Sequence, residues 1–153
     1  MPGDSAFVRL NKWGPAVVCL LVCAACASPA VNDAGYRGKA VHSADEMAGI
    51  VASAEYAARL RLDGRVPHTV ADTVVSDAEQ DAQGVLSAFD SRQPPDDRSD
   101  RLRKKADGPL GDAGDELTDL RVAVRREDRE QVLAALAALE RTVPRLQKVS
   151  DQP

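Results

Sequence analysis

Residues 131–146, QVLAALAALERTVPRL, decide how this chain folds. Val132, Leu136, Leu139, Val143 and Leu146 recur at steps of 4, 3, 4 and 3. That spacing keeps apolar side chains on one stripe of a helix with 3.6 residues per turn. Just upstream, EDREQ supplies a start signal, with Asp128 as cap and Gln131 three positions later. Pro144 should bend the helix near its end.

Working back along the chain, Leu102, Ala106, Pro109, Ala113, Leu117, Leu120 and Val124 form a second stripe. Its phase survives the run DGPLG, so one long helix kinked at Pro109 is expected rather than two short ones. Before it, SRQPPDDRS breaks the chain at Pro94 and Pro95. A third stripe, Val70, Val74, Ala78, Ala82, Val85 and Phe89, begins after Pro67, a residue suited to a first helical position. The fourth opens on SADE, where Ser43 and Glu46 have capping-box spacing. It continues through Met47, Ile50, Val51, Ala54, Ala57 and Ala58 to Gly64 at the C-cap.

Aromatic residues make up only 3% of the chain, so its core must be built from small aliphatic side chains. Alanine lets helix backbones approach closely, which favours helix-on-helix packing. Four amphipathic helices of about 20 to 30 residues, each roughly 30 to 45 Å long, joined by short turns, predict an all-α fold. The expected architecture is an up-down-up-down antiparallel four-helix bundle over residues 42–150, with a short tail at 151–153.

The N-terminal region is of another kind. Arg9 and Lys12 precede a run free of charge, WGPAVVCLLVCAACA, residues 13–27. A membrane span needs about 20 apolar residues, so this shorter run reads as the core of a signal peptide. Two cleavage sites compete. Ala25 and Ala27 form an A-x-A site that would release a protein starting at Ser28. Cys23-Ala24-Ala25-Cys26 instead resembles the lipobox of bacterial lipoproteins, in which an aliphatic residue and two small ones precede the acylated cysteine. Ala24 and Ala25 fit that pattern, and Cys23 stands where leucine is usual. Cys19, Cys23 and Cys26 are the only cysteines and all lie in the leader, so the exported part needs no disulfide. The chain thus resembles the small lipoproteins of high-GC, actinobacterial-type organisms. The resemblance covers residues 1–28 and transfers one site residue, Cys26, as the point of lipid attachment. It implies a signal peptide over 1–25, an anchored cysteine with a flexible tether over 26–41, and a home on the outer face of the cell membrane. Plain secretion is the alternative.

Composition and motifs exclude several function classes. The chain has 20 Lys and Arg against 24 Asp and Glu; losing Arg9, Lys12 and Asp4 with the leader moves the net charge from −4 to −5. Such a domain carries no electrostatic footprint for nucleic acid. Glu-x-x-His pairs of the di-iron kind and a Cys-x-x-Cys-His haem site are missing from the sequence. His42 and His68 should lie near opposite ends of an antiparallel helix pair, as two solvated side chains. The acids Asp112, Asp115, Glu116 and Asp119 lack EF-hand spacing, and Arg121 and Arg125 are near enough to pair with them. Asp77, Glu79 and Asp81 likewise read as a solvated face. No thiol beyond Cys26 and no histidine on a core stripe is on hand to support nucleophilic catalysis, and GYRG and GPLG are not phosphate loops. The expectation is therefore a protein without catalysis, cofactor or metal.

One charge run has geometry attached to it. RSDRLRKK sets Arg98, Arg101, Arg103, Lys104 and Lys105 at the start of the third helix. In an up-down bundle the third helix begins at the same end as the first, which is the tethered end. Arg98, Arg101, Lys104 and Lys105 are thus candidates for membrane contact, where anionic headgroups favour each nearby base by about 1 kcal/mol. The expected function is a binding or scaffold module whose partners are the membrane, through the lipid, and another protein. A bundle holding an ion or small molecule between its helices is the alternative, and a helical oligomer a third reading. Leu60, Leu62, Leu110 and Leu133 fall beside the main stripes and are candidates for a contact patch.

Overall fold

A computed structural model of the chain describes residues 32–151; Cys26, the leader and both cleavage sites lie outside the described residues. Four helices follow in order: α1 (Asp33–Leu62), α2 (His68–Asp90), α3 (Asp97–Arg125) and α4 (Arg129–Ser150). Each packs on its neighbours in sequence and α4 closes back onto α1, giving the antiparallel four-helix bundle. α1 and α3 also touch across the diagonal, whereas α2 and α4 do not. Small residues explain the flattening: Ala40, Ala44, Ala54 and Ala58 on α1 and Ala106 and Ala113 on α3 are fully buried. The core between them is filled by Met47, Val51, Val75, Phe89, Leu110, Leu117, Leu120, Leu136, Leu139 and Leu146.

The stripes on α3 and α4 are in place. Every residue of the α3 stripe is buried, Pro109 included, and the helix runs unbroken through it. Proline removes one backbone donor and crowds the preceding turn; the apolar residues on either side, packed against the core, hold the helix together there. On α4, Val132, Leu136, Leu139 and Leu146 are buried and Val143 is half-buried, with Thr142 sharing the inward face. Asp128 caps this helix by accepting from the Gln131 N–H at 3.0 Å.

Four expectations need correction. Ser43 is not a cap: it is buried ten residues inside α1, and the stretch 33–41, expected as tether, is helix. The cap is Asn32, whose Oδ1 accepts from the Gly35 N–H at 2.8 Å, with Asp33 in the first turn. The stripe of Met47 runs back through Ala44 and Ala40 to Tyr36, all buried. Gly35 and Gly38 each disfavour helix by about 1 kcal/mol. Burying the Tyr36 ring returns roughly 1.5–3 kcal/mol, and two buried alanines add to it. On α2 the inward face is Ala71, Val75, Ala78, Ala82, Val85 and Phe89, while Val70 is exposed and Val74 half-buried. Reading Val70, Val74, Ala78 and Ala82 as one face takes three successive steps of four, which drifts by about 120° around a 3.6-residue helix. Pro67 stands one place outside the helix, as its N-cap.

Turns close the ends. Gly64 adopts φ +69 after α1; its N–H reaches Arg61 O and the Arg65 N–H reaches Leu60 O, the paired bonds of a Schellman cap. The same two bonds follow α3, from Glu127 to Val124 O and from Asp128 to Ala123 O. There the left-handed residue is Glu127, φ 53, held by an ion pair to Arg61 at 2.8 Å. Asp128 thus ends one helix and begins the next, which makes the α3–α4 turn as short as it is.

Candidate functional site at the basic end of the bundle

The starts of α1 and α3 lie side by side. Ser99, fully buried, donates its hydroxyl to Asp33 Oδ1 at 3.2 Å, and Arg98 pairs with Asp33 Oδ2 at 3.6 Å. Asp33 therefore joins the first residue of α1 to the first turn of α3. The start of α3 is fixed from the other side as well. Asp96 caps it by accepting from the Ser99 N–H at 2.8 Å, and that bond holds the Asp96 carboxyl below the ordinary carboxylate range. Arg103 reaches back to the end of α2, donating to Arg92 O at 2.8 Å and lying 5.9 Å over the Phe89 ring. Buried under this corner is Tyr36, whose hydroxyl has no hydrogen-bond partner among the described residues. Burial pushes its pKa up, against the pull of the Arg103 guanidinium.

The four bases singled out by spacing do not form one uniform patch. Arg98 is engaged by Asp33. Arg101, Lys104 and Lys105 are exposed, and no ion pair links either lysine to a carboxylate among the described residues. Lys104 and Lys105 line a surface cleft between α3 and α4, with Gly108 and Pro109 from α3 and Arg145, Lys148 and Val149 from α4. Arg145 and Lys148 were not singled out from sequence, because nothing in the spacing of α4 says which of its polar residues face the basic run of α3. Arg145 crosses Gly108, to which a Cβ would stand 3.5 Å from its Nη2, and pairs with Asp112 on α3.

Elsewhere the charged residues tie helices together. Arg121 and Arg125 pair with Glu79 and Asp72 of α2, not with the α3 acids near them in sequence. Glu116 accepts from the Thr142 hydroxyl at 3.0 Å while its other oxygen, buried, has no partner; burial raises its pKa. His42 lies inside α1 beside Glu46, and His68 stands at the far end of the bundle, 3.0 Å from Val124 O. The polar residues buried as a whole among those described are Ser43, Ser99 and Thr142, and Glu55 and Glu116 each bury one carboxylate oxygen. The supposed leucine patch disperses: Leu110 is in the core, Leu60 and Leu62 are half-buried, and only Leu133 is fully on the surface. Among the described residues no helix is long and apolar enough to cross a membrane.

No family model, no curated protein and no solved structure matches this chain.

Proposed function

We propose that the chain is an exported lipoprotein, acylated on Cys26, whose helical bundle stands on the outer face of the cell membrane. It works there as a non-catalytic binding module, with its basic end toward the lipid. The observation that carries this reading is the contact of Asp33 with Ser99 and Arg98. It sets the entry of the chain into the bundle beside the most basic segment of the sequence. Because α1 starts at Asp33, only residues 27–32 separate it from Cys26. Six residues span at most about 20 Å at ~3.3 Å each, less than half the reach of a tether running to residue 41. An acylated Cys26 would hold Arg101, Lys104 and Lys105 close to the headgroup layer, where each base gains about 1 kcal/mol from anionic lipid.

Fractionation of bacteria producing the full chain or its Cys26→Ser variant tests the reading. The native chain is expected in the membrane fraction and the variant outside it, in the medium or still joined to its leader. Equal distribution of the two would overturn the lipid anchor. Release of both into the medium would favour cleavage after Ala27 and a freely secreted bundle.

A further inference from the structure

The cleft between α3 and α4 has a composition found at no other cleft described on this molecule. Its walls bring together Lys104 and Lys105 from one helix and Arg145 and Lys148 from the other. Gly108, exposed and without a side chain, and the buried Pro109 and Val149 complete its lining. Across the cleft, Arg145 pairs with Asp112 of α3. The cleft on the α1–α2 side is the opposite in kind, rimmed by Glu46, Asp77 and Asp81. A bundle whose net charge is negative thus gathers bases in one hollow at one end. That hollow measures about 420 Å3, within the range of roughly 300–1,000 Å3 for small-ligand sites.

We propose that this cleft receives the phosphate of an anionic phospholipid, seated over Gly108 between the ammonium groups of Lys104, Lys105 and Lys148. The inference rests on the membrane-facing orientation proposed above and adds to it a defined pocket for one headgroup. Phosphate suits the site because compact ammonium groups on flexible stems close on it as point charges. Position suits it as well. Lys104 and Lys105 are seven and eight residues into α3, and Lys148 two residues from the end of α4. At 1.5 Å per residue all three lie within about 12 Å of the bundle end. A Cβ at Gly108 would meet the Arg145 Nη2 at an ordinary contact distance of 3.5 Å, so a small side chain fits there, whereas a leucine would extend into the cleft.

The test uses the full acylated chain in phosphatidylcholine vesicles with and without phosphatidylglycerol, and reads lysine acetylation by mass spectrometry. Lys39, six residues into α1, stands at the same height outside the cleft and serves as reference. The proposal expects Lys104, Lys105 and Lys148 to be shielded relative to Lys39 only when phosphatidylglycerol is present. Shielding should fall about fivefold for each base removed, as in Lys148→Gln, the equivalent of ~1 kcal/mol per base near an anionic surface. Gly108→Leu, which extends into the cleft without changing any charge in a helix that tolerates leucine, should abolish the selective shielding. Equal shielding of all four lysines, unchanged in Gly108→Leu, would leave the membrane orientation standing and overturn the pocket. No shielding of any lysine would overturn both. Shielding of the detergent-solubilised protein by glycerol 3-phosphate as strong as that by vesicles would assign the cleft to a soluble phosphate and overturn the lipid.

Discussion

Tyr36 is one of the largest fully buried side chains, 1% exposed, yet it lies in a stretch whose composition suggests a tether. Its two substitutions should move stability in opposite directions. Tyr36→Ala removes the ring that closes the basic end of the core, and large aromatic-to-alanine changes cost about 3–5 kcal/mol. Part of that is offset because the hydroxyl also disappears, and a buried hydroxyl without a partner costs about 1–3 kcal/mol. The net loss should be near 3 kcal/mol. Tyr36→Phe keeps the ring and removes only the unpartnered hydroxyl, so it should stabilise by about 1 kcal/mol. At this size a kilocalorie shifts Tm by roughly 4 °C. Tyr36→Phe should therefore melt about 4 °C higher and Tyr36→Ala more than about 10 °C lower, followed by helical circular dichroism. Urea midpoints should move with unchanged slope. Alkaline pH adds a check on sign. Burial raises the Tyr36 pKa above 10.0, so the folded state holds this proton more tightly than the unfolded one. Stability should then fall as pH rises from about 10 through the folded-state value, and Tyr36→Phe should lose that fall. A destabilised Tyr36→Phe would mean that the hydroxyl is hydrogen-bonded. A harmless Tyr36→Ala would mean that residues 33–41 are not part of the bundle.

Three further outcomes follow from the same geometry. A Cβ at Gly49 or Gly84 would meet nothing within 4 Å, so alanine at either site should stabilise by about 0.5–1 kcal/mol, whereas Gly64→Ala, at φ +69, should cost about 1 kcal/mol. At Gly114 a Cβ would lie 2.7 Å from Leu86 Cδ1; Gly114→Ala should fall below the gain at Gly49, in the same urea series, because Leu86 must turn aside. Glu116 has its pKa raised by burial, so stability should decline as pH rises through the window above 4.5, and Glu116→Gln should flatten that slope in urea midpoints taken across it.

The bundle was legible where apolar spacing and end signals agreed. On α4 the steps of Val132, Leu136, Leu139 and Leu146 and the Asp128 cap point to the same helix, and both are in the structure. On α3 the phase carried through Pro109 because the packed residues, not the proline, set the face. Legibility failed where alanine had to be weighed against valine. On α2 the bulkier Val70 drew the stripe away from Ala71, although alanine is the residue that fits a close helix pair. At the start of α1, two glycines obscured Tyr36 and Ala40, which are spaced as core residues. The candidate site was half legible. The run from Arg98 to Lys105 is local, and the antiparallel topology puts it at the entry end. Arg145 and Lys148 join it only through the packing of α3 on α4, a contact between positions some forty residues apart. The α2–α3 ion pairs of Arg121 and Arg125 were hidden for the same reason.

The central claim is that this bundle is held at a membrane by Cys26, and the mass of the mature N-terminal peptide tests it most directly. The peptide should be taken from both membrane and medium fractions. The expected result is a peptide beginning at Cys26 and carrying acyl chains, found in the membrane fraction. An unmodified peptide beginning at Ser28, found in the medium, would contradict it.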